Sequence, residues 1–323
     1  MAHPIWQDYY VYFDGDWCDI SITFNNNIIY AGRAVRTPNA DSIAIRINDI
    51  CADYIKPRPL REIFGINYTT EPTEYTFSIS LTDGTTTTTE SVAFTNDYSN
   101  SSLVSPINLS APIVDLVPTD TFFAISAKRR IFIELQTKDG EVITYPIPGV
   151  TPPTGEQLSS FVNLSAYDNE AFVSIFIDEI GRFKYRVVDG CGYNYVLYYR
   201  NALGGIDFLP IAGNVMQSDS YTRHTIGRKY NNSDEGARGI FNYQNDIARV
   251  WALHTGWISD EGAQNMHHLL GSTDVLLFDK ENTTYHSVNI RNTNCEYKTY
   301  KNQGKQLVRY DIEVELAQTL IRR

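Results

Sequence analysis

CGYNYVLYYRNALGGID, residues Cys191–Asp207, carries the pattern that sets the fold class. Tyr193–Tyr199 is apolar and rich in tyrosine, the composition of a packed, pleated strand. Asn201 and the Gly204–Gly205 pair break that run, and a return strand starts at Ile206. Two adjacent glycines supply the positive φ that a tight reversal requires, so the segment reads as a β-hairpin. Its residues are of the kind that pack and pair, and none is suited to transferring protons.

The same signals recur outward from it. Asp-Gly turns at Asp83-Gly84 and Asp139-Gly140 separate runs that alternate with period two, predicting hairpins over Tyr75–Thr82/Thr85–Phe94 and Ile131–Thr137/Val142–Tyr145. Short strands are expected at Tyr10–Phe13, Ile20–Phe24, Ile28–Tyr30 and Ile43–Ile47, with Asp14-Gly15-Asp16 and Asn25-Asn26-Asn27 as turns. Asn48-Asp49 is expected to cap a short helix through Tyr54, stopped by Lys56-Pro57-Arg58-Pro59. After the Pro- and Gly-rich Pro146–Gly155, strands follow at Phe161–Tyr167, Ala171–Ile177 and Arg182–Val188. Beyond the opening hairpin come Ser220–Ile226, Ala248–His254, Val275–Phe278, Ser287–Asn292 and Leu307–Leu316. One helix is predicted near 259–271, with Ser259 as N-cap, Asp260-Glu261 in the first turn and Gly271 ending it.

Composition agrees. Tyr (22) and Phe (15) far outnumber Met (3), favouring half-buried pleated surfaces. The expected fold class is mainly β, a multi-domain β-sandwich or β-barrel architecture with a few short helices. Three domains are predicted: 1–115 with one short helix, a sandwich-like 116–190, and 191–323 with the helix near 259–271. An alternative layout pairs 1–65 with the C-terminal sheet and leaves 66–190 as an insertion. A net charge of −11 opposes wrapping of nucleic acid, which needs surplus Lys and Arg. Lys128-Arg129-Arg130 and Arg322-Arg323 read as a solvated strand end and a solvated tail. Cys18, Cys51, Cys191 and Cys295 lack zinc spacing and are expected to be free, mostly buried thiols in a reducing compartment. The N-terminus MAHPIWQDYY has no signal-peptide pattern and no apolar run is long enough for a transmembrane helix.

His267-His268 point about 100° apart on a helix, so they do not chelate one ion as an i, i+4 pair does. Asp14-Gly15-Asp16 with Asp19 lacks the remaining ligands of a calcium loop. Asp168-Asn169-Glu170 and Asp178-Glu179 are carboxylate clusters at expected turns, usable by a two-acid glycan hydrolase. Trp251, Trp257, Tyr221 and Tyr230 suit either a carbohydrate platform or an aromatic core. No GxSxG, HExxH or phosphate-binding loop is present, and Gly204-Gly205 leads into a strand rather than a helix N-terminus. The expectation is no enzyme, no catalytic residue, no cofactor and no metal.

Tyr198–Asp207 (YYRNALGGID), Trp251–Ile258 (WALHTGWI), Met266–Thr273 (MHHLLGST), Cys295–Lys298 and Glu313–Arg323 together resemble virion proteins of crAss-like and related Bacteroidetes phages. Ile29–Ala34 and Asn48–Cys51 fit the same group, so the likeness is scattered over most of the chain and densest in 191–323. The resemblance implies a structural tail protein at the hub, ring, collar or baseplate level. Such proteins are β-rich and form homo-oligomeric rings, hexameric or dodecameric, around the channel through which DNA leaves the capsid. Other tail and collar proteins are the implied partners, DNA passes only in transit, and the protein resides in the virion after synthesis in the host cytoplasm. Tyr198, Tyr199, Arg200, Trp251 and Trp257 are the interface candidates, since Tyr, Trp and Arg dominate binding hot spots; the same five serve equally as domain core. A carbohydrate- or receptor-binding tail module, with exposed aromatics in Ser220–Trp257, is the alternative, and a tail-associated glycan hydrolase using Asp178 or Glu179 the third.

Overall fold

The computed structural model describes residues 3–322 except 6, 39, 56–57, 67–68, 96–113, 119–121, 128–129, 138, 146–155, 164–169, 178–180, 189–192, 202–203, 228–239, 257, 260–265, 293–296, 303–304 and 319. The chain is mainly β, with several antiparallel sheets in a β-sandwich-like arrangement. Three short helices accompany them among the described residues: α1 (Asn48–Ala52), α2 (Leu60–Ile63) and α3 (Met266–Leu270).

The N-terminal sheet orders its strands His3–Pro4, Thr87–Thr95, Glu74–Thr82, Trp17–Phe24 and Asn27–Val35. Alternation sends Ile20, Ile22, Phe77, Ile79 and Phe94 to one face. There they meet Val11, Phe13 and Ile43 from the short pair Tyr10–Phe13/Ile43–Arg46, and Cys51 from α1. Cys18 and Cys51 are free, buried thiols of this core, and burial pushes Cys51 up to about 12. Asn25 and Asn26 take φ of 48° and 63°, and Gly84 takes 92°, so the expected Asn and Asp-Gly turns are in place. Within residues 3–46, Tyr10–Phe13 pairs with Ile43–Arg46 and Trp17–Phe24 with Asn27–Val35, and Glu74–Thr82 and Thr87–Thr95 complete the sheet; among the described residues none of these strands pairs with the C-terminal sheet.

The expected Asn48 cap is corrected. Ile47 starts α1 and no side chain caps it. The Asn48 side chain turns inward instead, accepting from Tyr9 N (3.4 Å) and Arg46 Nε (3.2 Å) and donating to Ile5 O (3.3 Å). Buried at 3% exposure, it satisfies two long-range backbone groups, Tyr9 N and Ile5 O, and its neighbour Arg46. Ser259 closes the two-residue strand Ile258–Ser259, paired with Val308 and Leu307, and the first turn expected after it at Asp260-Glu261 lies outside the described residues. Residues 260–265 lie outside the described residues, and helix α3 starts at Met266.

Two sheets occupy the middle of the chain. One joins Phe122–Ala127, Glu156–Asn163 and Thr69–Pro72; the other runs Val142–Tyr145, Ile131–Thr137, Glu170–Ile177, Gly181–Val188 and Val114–Pro118. The strand Val114–Pro118 runs across the expected boundary at 115/116. Residues 60–72, read as N-terminal, pack into this middle layer: Leu60 and Ile63 bury against Ala124, Phe161, Val196, Tyr198, Ile206 and Leu276.

The C-terminal sheet follows the path Ile206–Ile211, Tyr195–Arg200, Val275–Asp279, Thr284–Ile290, Lys305–Leu316, Ile240–His254 and Val215–Gly227, with three short strands off it. One face collects Leu197, Tyr199, Leu253, Leu277, Ile312 and Val314 under α3. The other presents Val196, Tyr198, Leu276 and Phe278 to α2 and the middle sheet. Burial on both faces explains why YVLYY is continuously apolar rather than alternating.

Candidate assembly surface

The opening hairpin forms as expected: Tyr195–Arg200 pairs antiparallel with Ile206–Ile211, and Gly204 takes a φ of 83°. Asn201 shapes the loop, its Oδ1 accepting from Gly205 N (2.9 Å) and its Nδ2 donating to Asp207 (3.0 Å). Burial pushes the Asp207 carboxyl well above the usual carboxylate range, with the Asn201 bond opposing.

Tyr198, Tyr199, Arg200 and Trp251 all lie inside the chain, at 0, 2, 5 and 3% exposure. Tyr198 Oη donates to Phe122 O (2.8 Å) and accepts from Phe122 N (3.1 Å), tying the C-terminal sheet to the middle one. Arg200 pairs with Glu71, Nη2 to Oε1 at 2.7 Å and Nη1 to Oε2 at 3.1 Å, and also donates to Arg58 O. Gln157 donates to Gly204 O at 2.9 Å, Ser126 Oγ accepts from Ile206 N at 3.0 Å, and Asp274 accepts from Leu60 N at 2.7 Å. Tyr198 and Arg200 therefore hold the chain's own layers together, Tyr199 and Trp251 pack in the core of the C-terminal sheet, and Trp257 lies outside the described residues. Sequence reading missed Glu71, Ser126, Gln157 and Asp274. Its one signal was a charged residue, Arg200, ending an otherwise apolar buried run.

The remaining candidates scatter. Asp19 is held by Arg33 (Nε to Oδ1 2.7 Å, Nη2 to Oδ2 3.0 Å) and Asp16 by Arg36, so arginines rather than a cation neutralise that turn. The Arg33 bond is also the first cause lowering the Asp19 carboxyl below its ordinary value. His267 is exposed and His268 half-buried, with burial the main cause lowering the latter. Trp251 stacks on His286 (5.5 Å between ring centres, 26° between planes) inside the sheet, whereas Tyr221 is exposed and Tyr230 lies outside the described residues. Of the two readings, platform or core, Trp251 therefore takes the core. Asp168, Asn169, Asp178, Glu179, Lys128, Arg129 and Arg323 also lie outside the described residues. Among the described residues no group of three or more His, Cys, Asp or Glu side chains is arranged to hold a metal, and no helix is long and apolar enough to cross a membrane.

What the surface does present is an arm. Val215–Gly227 (13 residues) and Ile240–His254 (15 residues) pair through Gly227↔Ile240. Lys305–Leu316 supports only Val250–His254, and Leu320–Arg322 only Asn245–Ile247. Among the described residues, the end of the hairpin from Thr225↔Asn242 to Gly227↔Ile240 therefore has no third strand beside it. Cross-strand polar contacts stiffen it: Arg249 pairs with Asp219 through two bonds (2.9 and 3.1 Å), and His224 Nε2 lies within hydrogen-bond distance, 2.7 Å, of Asp246. The Arg249 bond lowers the Asp219 carboxyl; the Gln244 bond, then His224, lowers that of Asp246. Met216, Tyr221, Ile226 and Tyr243 stand exposed along the arm. At its base Gly213 N donates to His254 O (3.0 Å), and a Cβ on Gly213 would sit 2.7 Å from that of His254.

The class these features define is a mainly β, multi-sheet chain whose most prominent surface element is an extended hairpin. No protein-family model matches it, and no curated protein matches it in sequence. Among solved structures, a surface glycan-binding protein of Bacteroides ovatus (SGBP-B of the mixed-linkage glucan utilization locus, in complex with a mixed-linkage heptasaccharide) aligns at 10% identity, covering 94% of this chain and 70% of that one with a TM-score of 0.16. An overlap that slight carries no argument about this chain.

Proposed function

We propose that this protein is a structural subunit of a phage tail, a hub or ring component that assembles as a symmetric homo-oligomer around the DNA exit channel. The observation that carries the reading is the arm. A two-stranded ribbon is marginal in water without a third strand or a packed face; Leu320–Arg322 backs this one only at Asn245–Ile247, and among the described residues the end from Thr225↔Asn242 to Gly227↔Ile240 has no third strand, while Tyr221, Ile226 and Tyr243 are exposed. A partner that covers this end supplies the packing absent among the described residues. The resemblance of the Tyr198–Asp207, Trp251–Ile258 and Glu313–Arg323 stretches to crAss-like phage virion proteins supports the tail setting. The net charge of −11 suits a channel wall that repels DNA in passage rather than binding it.

The test is the oligomeric state of the purified full-length chain by mass photometry and electron microscopy. Hexameric or dodecameric rings are expected. A chain that stays monomeric at tens of micromolar, and joins no other tail protein, sinks the reading.

A further inference from the structure

We propose that the arm of one copy docks along the open edge of the N-terminal sheet of the next copy, the strand Asn27–Val35, and adds itself to that sheet. The contact rests on the self-assembly reading above and names the two surfaces that make it. Among the described residues, Asn27–Val35 pairs only with Trp17–Phe24, and Val215–Gly227 only with Ile240–His254. Each strand therefore ends its sheet with a row of backbone N–H and C=O groups that no neighbouring strand claims. Such an edge is a template for another strand, and chains that remain apart blunt it with proline, charge, brevity or a bulge; the receiving strand has one bulge, at Ile29, whose carbonyl accepts from Tyr54 Oη (3.4 Å). Neither strand contains proline or lysine. Neither is short: nine and thirteen residues correspond to about 30 and 43 Å at ~3.3 Å per residue. The arm is long enough to cover the whole receiving edge.

Side chains and charge favour a second copy as the occupant. Ile28 and Val35 are 69% and 67% exposed on the receiving strand, and Met216 and Tyr221 are 65% and 59% exposed on the arm. Two copies each carrying −11 repel over most of their surfaces. The two strands of the arm are neutral in sum, with Asp219 and Asp246 against Arg223 and Arg249. The receiving strand brings one charge, Arg33, held by Asp19 on the adjacent strand. These segments let like-charged copies approach. Each copy then offers one arm and takes one, a heterologous contact that closes into a ring when the rotation permits.

The test uses two double variants of the full-length chain, Met216→Lys with Tyr221→Lys on the arm and Ile28→Lys with Val35→Lys on the receiving edge. A milder pair, Tyr221→Ser and Ile28→Ser, repeats the test with less disturbance. Near-ultraviolet circular dichroism checks that each variant keeps native packing, and sedimentation velocity reads association. Alone, each double variant is expected to lose rings and to self-associate at least about a hundredfold more weakly than wild type. Mixed one to one, they are expected to form heterodimers and nothing larger, because one intact arm meets one intact edge and both free ends are disabled. Heterodimer formation also shows that both variants are folded. Rings that survive either double variant, or natively packed variants that form no heterodimer, overturn the arm-to-edge contact while leaving self-assembly standing. A wild-type chain that assembles only with a different tail protein overturns the second copy as occupant. A wild type that remains monomeric and joins no other tail protein overturns both readings.

Discussion

Arg200 is a cation at 6% side-chain exposure, facing Glu71 at 1%. Two ions so far from water recover their desolvation cost only through good geometry and further hydrogen bonds. The two guanidinium–carboxylate bonds and the Arg58 carbonyl supply most of that, leaving Nε without a hydrogen bond and 3.9 Å from Asp274. Removing one partner alone is the damaging change. Arg200→Met should cost about 3–5 kcal/mol, because Glu71 is left charged and unpaired in the interior. Arg200→Met combined with Glu71→Leu should recover most of that loss. Denaturant unfolding of the single and double variants measures both, and equal losses in the two would refute the pair's role. Tyr198, Arg200 and Trp251 were legible as important aromatic or charged residues, but the sequence left interface and core equally open. Burial decides such a choice, and it depends on which distant strands cover a residue.

At the scale of elements, turn chemistry was the most readable feature. The Asp83-Gly84 hairpin is specified by four residues, since Asp83 Oδ1 accepts from Thr85 N (2.8 Å), Thr86 N (2.7 Å) and Thr85 Oγ1 (2.7 Å). Those bonds, Thr86 N first, hold the Asp83 carboxyl down at about 2. The folded value lies below the unfolded one, so the contribution to stability is present above about pH 4 and is lost as pH falls through 2. A carboxyl NMR titration should give a midpoint near 2 for Asp83, and Asp83→Ala should abolish that part of the acid dependence; a midpoint near 4 would contradict the turn geometry. Arm length was not readable in the same way. Ser220–Ile226 and Ala248–His254 were expected, but the strands run Val215–Gly227 and Ile240–His254. Phe241, Tyr243 and Ile247 do fall at period two between polar Asn242, Gln244 and Asp246, but Asn245 breaks the run, so the alternation read from Ala248 does not carry back to it. The arm's base is set by Gly213, where a side chain would collide with the His254 carbonyl and Cβ. Gly213→Ala should destabilise by about 1–3 kcal/mol through overpacking and loosen the Val215↔Leu253 end, visible as faster amide exchange there. Unchanged exchange would mean that the base tolerates the methyl group.

For the whole molecule, the segment joining the N-terminal unit to the rest does the connecting. Phe64, just after α2, lies within 5.0–5.4 Å, ring centre to ring centre, of Phe122, Phe161, Tyr198, Phe278 and Tyr285. It thereby touches both the middle and C-terminal sheets. Phe64→Ala should cost about 3 kcal/mol, the lower end for an aromatic deletion because the ring is only partly buried. Hydrogen exchange should accelerate in Phe122–Ala127 and Val275–Asp279 while Phe77–Leu81 keeps its protection. Uniform acceleration through the N-terminal core would show instead that the units unfold together. The β class, most strands and the positions of their turns followed from the sequence alone, because side-chain period and turn chemistry are local properties of neighbouring residues. The Arg200–Glu71 bridge, the place of residues 60–72 in the middle layer and the free edges of Asn27–Val35 and Val215–Gly227 came only with the tertiary structure. Each depends on which strands, up to 214 residues apart in the Leu60–Asp274 bond, lie beside one another or fail to, and no local pattern encodes that adjacency.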